Sequence, residues 1–137
     1  MDCCGEGKIL YIPFDLGDVY FNTRTSMVSQ YMGKVLRKLR NPIIEVSQKN
    51  IDITLQEDGD KVFLNLINMN QGRHSLDILV YDTIPVLHNV EIVIHGSYKD
   101  VNMPLGEEYE CEYGTDFVKI RLNELFIHSI VELNKAD

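Results

Sequence analysis

The sequence predicts a mainly β protein: an antiparallel β-sandwich of about seven or eight strands, preceded by a strand-helix unit with one long amphipathic helix. Three observations predict it. The stretch 51–69, IDITLQEDGDKVFLNLINM, alternates apolar and polar residues on both sides of an Asp-Gly turn, the strongest short-range hairpin signal a sequence offers. Beyond it, short strand, polar turn and short strand repeat to residue 133. Before Pro42 the apolar residues recur four apart instead, which is the helical period.

Taken in order, Lys8 to Phe14 (KILYIPF) reads as a short buried strand ended by Pro13, since proline cannot donate to a ladder. Asp15 to Asp18 reads as a turn. Thr25 and Ser26 are N-cap candidates. Met27, Tyr31, Val35 and Leu39 then form one apolar helical face, with Met32 and Leu36 beside them. Asn41-Pro42 stops the helix. The style changes there, so the chain divides into a strand-loop-helix unit at 1–42 and a β-sandwich at 43–137.

In the hairpin, Ile51, Ile53 and Leu55 alternate with Asp52, Thr54 and Gln56, which gives one apolar face. The second arm, with Val62, Leu64 and Leu66 between Phe63 and Ile67, is apolar on both faces and belongs deeper. Further strands are expected at 43–46, 76–81, 90–95, 101–103, 109–113, 117–122 and 126–133, separated by turns at 71–73, 83–85, 104–106 and 114–116.

The chain has 137 residues, enough to bury a core without disulfides or metal. No apolar run approaches the length of a membrane span. The N-terminus is acidic and lacks the apolar stretch of a signal peptide, so the expected location is cytoplasmic. The net charge is −8, and nucleic-acid binding needs clustered cations. Lys34, Arg37, Lys38 and Arg40 read instead as the solvated C-terminal end of a helix, where the dipole favours cations. Cys3, Cys4 and Cys111 have neither disulfide nor zinc spacing.

Chemistry is poorly marked. Asp15 with Asp18, and Asp58 with Asp60, read as turn formers rather than as a glycosidase pair. Glu107, Glu108, Glu110 and Glu112 read as a solvated strand face that resists edge pairing. His74, His88, His95 and His128 share no ligand spacing, and Cys111 between glutamates reads as a packing residue, since nearby carboxylates oppose a thiolate. No phosphate-binding or dinucleotide-binding motif occurs, and no catalytic residue, metal or cofactor is expected. One polar cluster has a recognition flavour. Asn68, Asn70, Arg73 and His74, with Asn65 and Gln71 close by, carry the amide and guanidinium groups that suit sugar hydroxyls.

The segment KILYIPFDLG (8–17), the helix, the hairpin, and Leu66 to Asn70 followed by Arg73 together resemble the C-terminal region of certain large bacterial glycoside-hydrolase-like proteins. So do Asp82 to Pro85, Asn89 to Ile92 and Phe126 to Val131. In those proteins a catalytic barrel is followed by a flavodoxin-like β-galactosidase trimerisation domain and a small β-sandwich. The resemblance implies that residues 8–40 are the last strand and helix of the flavodoxin-like domain and 43–133 the sandwich. It carries over no active-site residue. The expected role is a non-catalytic accessory and assembly domain, with a free-standing carbohydrate-binding module as the alternative. A strand and helix cut from a parallel sheet would present Tyr11, Phe14, Met27, Tyr31 and Val35 as an apolar surface, so a homodimer or other homo-oligomer is expected.

Overall fold

A computed structural model describes residues 2–4, 7–23, 25–70 and 84–136. The chain divides into two compact units, Met1–Pro42 and Ile43–Asp137.

The first unit opens with two short antiparallel strands, β1 (Asp2–Cys4) and β2 (Gly7–Ile9). The buried strand expected over 8–14 is therefore cut short. Tyr11 is 82% exposed and Phe14 also faces outward. A run apolar on both faces needs a sheet covered on both sides, and a two-stranded ribbon covers neither.

A helix, α1 (Leu16–Thr23), then starts where a turn was expected. Asp15 is its cap: the Asp18 N–H donates to Asp15 Oδ1 at 2.9 Å, one of the orphan donors that an N-cap satisfies. Among its described residues the unit thus carries two helices, not one. The long one, α2 (Ser26–Leu39), follows Thr25, which is extended and caps without a side-chain hydrogen bond. It ends where Arg40 turns extended, two residues before Pro42. Its half-buried stripe is Val28, Met32, Val35 and Leu39. That is offset by one position from the expected face at its N-terminal end, and Met27 is 79% exposed. No residue of either helix is fully buried.

The second unit is an antiparallel β-sandwich. Among the described residues its strands are β3 (Ile44–Val46), β4 (Ile51–Asp58), β5 (Lys61–Asn68), β6 (Leu87–His95), β7 (Tyr98–Asn102), β8 (Tyr109–Tyr113), β9 (Phe117–Leu125) and β10 (His128–Lys135). They form two four-stranded sheets, ordered β4-β5-β10-β7 and β3-β6-β9-β8. The turn expected at 71–73 and the strand expected at 76–81 lie outside the described residues.

Alternation produces the core directly. Val62, Leu64 and Leu66 of β5 meet Val131 and Leu133 of β10 on one inner face. Val90, Ile92 and Ile94 of β6 meet Val118, Ile120 and Leu122 of β9 on the other. Each of these side chains is at most 1% exposed. Burying each aliphatic side chain contributes roughly 1.5–3 kcal/mol. The β4–β5 hairpin closes through the two-residue loop Gly59-Asp60, with Asp58 opposite Lys61. Gly59 has φ +58° and Asp60 does not have a positive φ, the pattern of a hairpin turn with glycine at its first central position. β4 lies at the sheet edge with one half-buried face, and β5 lies inside.

Charge ladders cross the outward faces. Lys61 Nζ reaches Glu132 Oε1 at 2.5 Å across β5 and β10. Glu91 on β6 takes both Arg121 at 2.6 Å and Lys119 at 3.3 Å from β9. Arg121 also faces Glu110 on β8 at 3.6 Å. Opposed charges of this kind suit the register of neighbouring strands.

Candidate functional site

A cleft of about 540 Å³ lies at one end of the two sheets. The approach to β8 supplies Glu107 and Glu108, and the end of β9 supplies Asn123, Glu124 and Leu125. Phe126, in the turn between β9 and β10, and His128, at the start of β10, complete it. Phe126 is 59% exposed.

Strand pairing brings these residues together. β8 and β9 are neighbours from Tyr109 opposite Leu122 onward, and the Asn123 N–H donates to the Glu108 carbonyl at 3.1 Å. The Asn123 side chain also donates to Glu108 Oε2 at 3.3 Å. Glu124 faces His88 Nδ1 at 3.4 Å across the β6–β9 pair. His128 Nε2 lies 3.3 Å from Asn65 Oδ1 across β5 and β10. Glu107 Oε2 is shielded from solvent and accepts no hydrogen bond from the described residues.

The β9–β10 turn is held from below by Asn68. Its side chain is inside, 4% exposed. The amide Nδ2 donates to the carbonyls of Phe126 at 2.7 Å, Pro85 at 2.9 Å and Leu125 at 3.4 Å. Its Oδ1 accepts the Asn70 N–H at 2.9 Å, and its own N–H donates to the Ile127 carbonyl at 2.9 Å. Of the residues expected to contact sugar, Asn68 therefore spends its amide on the backbone rather than on solvent. Asn70 is half-buried beside it, while Arg73 and His74 lie outside the described residues.

The other titratable groups are dispersed. Cys111 is half-buried on β8 against the core, and burial pushes its thiol above its ordinary value. His88, His95 and His128 face three different partners, Glu124, Glu45 and Asn65. Among the described residues no group of three or more His, Cys, Asp or Glu side chains is placed to hold a metal. No helix among them is long and apolar enough to cross a membrane.

The sequence pattern missed the cleft because its residues come from two separate segments, 107–108 and 123–128. Glu107 and Glu108 looked continuous with the strand face that holds Glu110 and Glu112. The strand begins at Tyr109, and that boundary divides the run. The sequence pattern also put Phe126 at the start of the strand expected over 126–133, whereas β10 begins at His128 and leaves Phe126 in the turn.

The architecture of this chain is one found inside a glycoside hydrolase. The solved structure of alpha-L-fucosidase isoenzyme 2 from Paenibacillus thiaminolyticus matches it with a TM-score of 0.74 at 18% identity, over 93% of this chain and 21% of that one. This chain thus spans about a fifth of that enzyme's length. No family profile matches the sequence, and no curated protein does.

Proposed function

We propose that the chain is a non-catalytic accessory domain of a glycoside-hydrolase-like protein and acts by packing and assembly. The observation that carries this reading is the span of the fold match: nearly all of this chain corresponds to a fifth of a fucosidase. An accessory region embedded in a longer hydrolase would have that relation to it. On this reading residues 8–40 are the remnant of a flavodoxin-like domain and the sandwich is the terminal module.

Assembly is the second part of the proposal. The sandwich has a self-sufficient core of fifteen buried apolar residues among those described, all in the second unit. In the first unit Tyr11, Phe14, Met27 and Tyr31 are exposed and Val35 is half-buried. We assign these five to a contact between two copies about a twofold axis.

Light scattering of the full chain should give a mass near twice 15.8 kDa. Tyr31→Glu should shift that mass toward the monomer while the melting midpoint of the sandwich stays put. A monomeric wild type at high micromolar concentration would overturn the assembly role. Sustained turnover of aryl glycosides by the purified chain, surviving repurification, would overturn the non-catalytic role.

A further inference from the structure

We infer that the cleft at the end of the sandwich is a binding subsite for a neutral saccharide of one or two rings. The inference goes beyond the accessory role and does not require it. Three features of the cleft lead to it. Its volume of about 540 Å³ falls inside the ordinary range of small-molecule sites. One wall is an exposed aromatic ring, Phe126, whose apolar face suits the C–H face of a pyranose. The polar wall mixes acceptor-only carboxylates with an amide and an imidazole, and sugar hydroxyls can donate to the first and accept from the others.

The geometry separates a polyol from a simple cation. Glu108 is already met by the Asn123 amide at 3.3 Å, and Glu124 faces the His88 ring at 3.4 Å. Each pair couples a carboxylate with a nitrogen group, the kind of partner that two neighbouring hydroxyls can bridge. Glu107 belongs to the same wall, and its Oε2 is shielded from solvent without a hydrogen bond from the described residues. The aromatic wall is also fixed. Asn68 holds the carbonyls of Phe126 and Leu125 from inside the protein, so the ring is carried on a pinned turn. Preorganisation of this kind lowers the ordering cost of binding.

The test is titration of the full chain, followed by NMR, with methyl β-D-galactopyranoside, methyl α-L-fucopyranoside and, as a cationic control, D-glucosamine. At least one neutral glycoside should saturate the resonances of Asn123, Glu124 and Phe126. Phe126→Ala should weaken that binding about tenfold or more, and Asn123→Ala about fivefold. The Phe126 side chain is exposed, so its removal should leave the melting midpoint unchanged, and the loss would then be one of binding. Saturation by D-glucosamine alone would make the cleft a cation site and overturn the inference. So would an absence of saturation up to about 50 mM, which corresponds to less than about 2 kcal/mol of binding free energy, or binding unaffected by Phe126→Ala. None of these outcomes bears on the mass or turnover measurements that decide the accessory role.

Discussion

At the scale of single residues, Asn68 illustrates how a polar side chain is kept inside a β core. Its amide meets three carbonyls, of Pro85 before β6 and of Leu125 and Phe126 where β9 ends, and its oxygen meets a backbone N–H. Truncation would remove four hydrogen bonds and leave inward-facing carbonyls unpaired. Asn68→Ala should therefore cost about 2–3 kcal/mol in urea unfolding, and a loss below about 0.5 kcal/mol would show that water replaces the amide. A second single-residue device is Gly114. A Cβ at that position would run into the Phe117 ring, so the aromatic side chain occupies the space the glycine leaves open. The sequence shows Asn68 as one amide in a polar cluster. It does not show which way the side chain turns, because both strand parity and the surrounding loops decide that. Asp15 is a similar case: an Asp-Leu-Gly-Asp run suits a turn and a helix start equally, and the backbone resolves it as a cap.

At the scale of elements, period-two alternation made the strands legible, because each sandwich strand has one face on a shared core. The β4–β5 hairpin is the clearest instance: the sequence marks its two arms, while the turn expected at Asp58-Gly59 falls one residue later, at Gly59-Asp60, with Asp58 paired to Lys61. Gly59→Val should lower stability by about 1 kcal/mol or more, read as a shifted urea midpoint. The space around Gly59 is open, with no atom of another residue within 4 Å of where a Cβ would sit. The cost would therefore come from the backbone φ of +58° and not from a clash. Alternation could not reveal how far each strand extends, because His88 and Asn89 interrupt the pattern in β6 while the strand continues back to Leu87. The charge ladders make a separate prediction. The hydrogen bond from Arg121, joined by Lys119, holds the Glu91 carboxyl below its ordinary value, and Lys61 does the same for Glu132. Such carboxylates favour the folded state fully above their ordinary value of 4.5. That contribution fades as pH falls below 4.5 through the depressed folded values. Melting midpoints should drop through that window, and the drop should be shallower in the double variant Glu91→Gln/Glu132→Gln. Parallel curves for the two proteins would show that other groups control the acid limb.

At the scale of the whole molecule, the change of pattern at Pro42 reflects two different ways of burying apolar residues. The sandwich buries them within itself. The first unit buries none of its helical residues fully, and the period-four pattern that marked its helix could not say what covers it. The order of strands in the sheets has a further consequence, for synthesis. β10, at 128–135, lies between β5 and β7 in the interior of its sheet, and its Val131 and Leu133 are fully buried. A chain emerging from the ribosome cannot join β5 to β7 until residue 135 is out, so this half of the sandwich cannot grow past the β4–β5 hairpin before then. Pairings this distant in sequence also place folding on the slow side, in milliseconds to seconds. A version ending at residue 127 should show no cooperative unfolding transition. In a cell, each nascent copy would hold β7 and the far edge of the β4–β5 hairpin as unpaired, adhesive edges until β10 arrives.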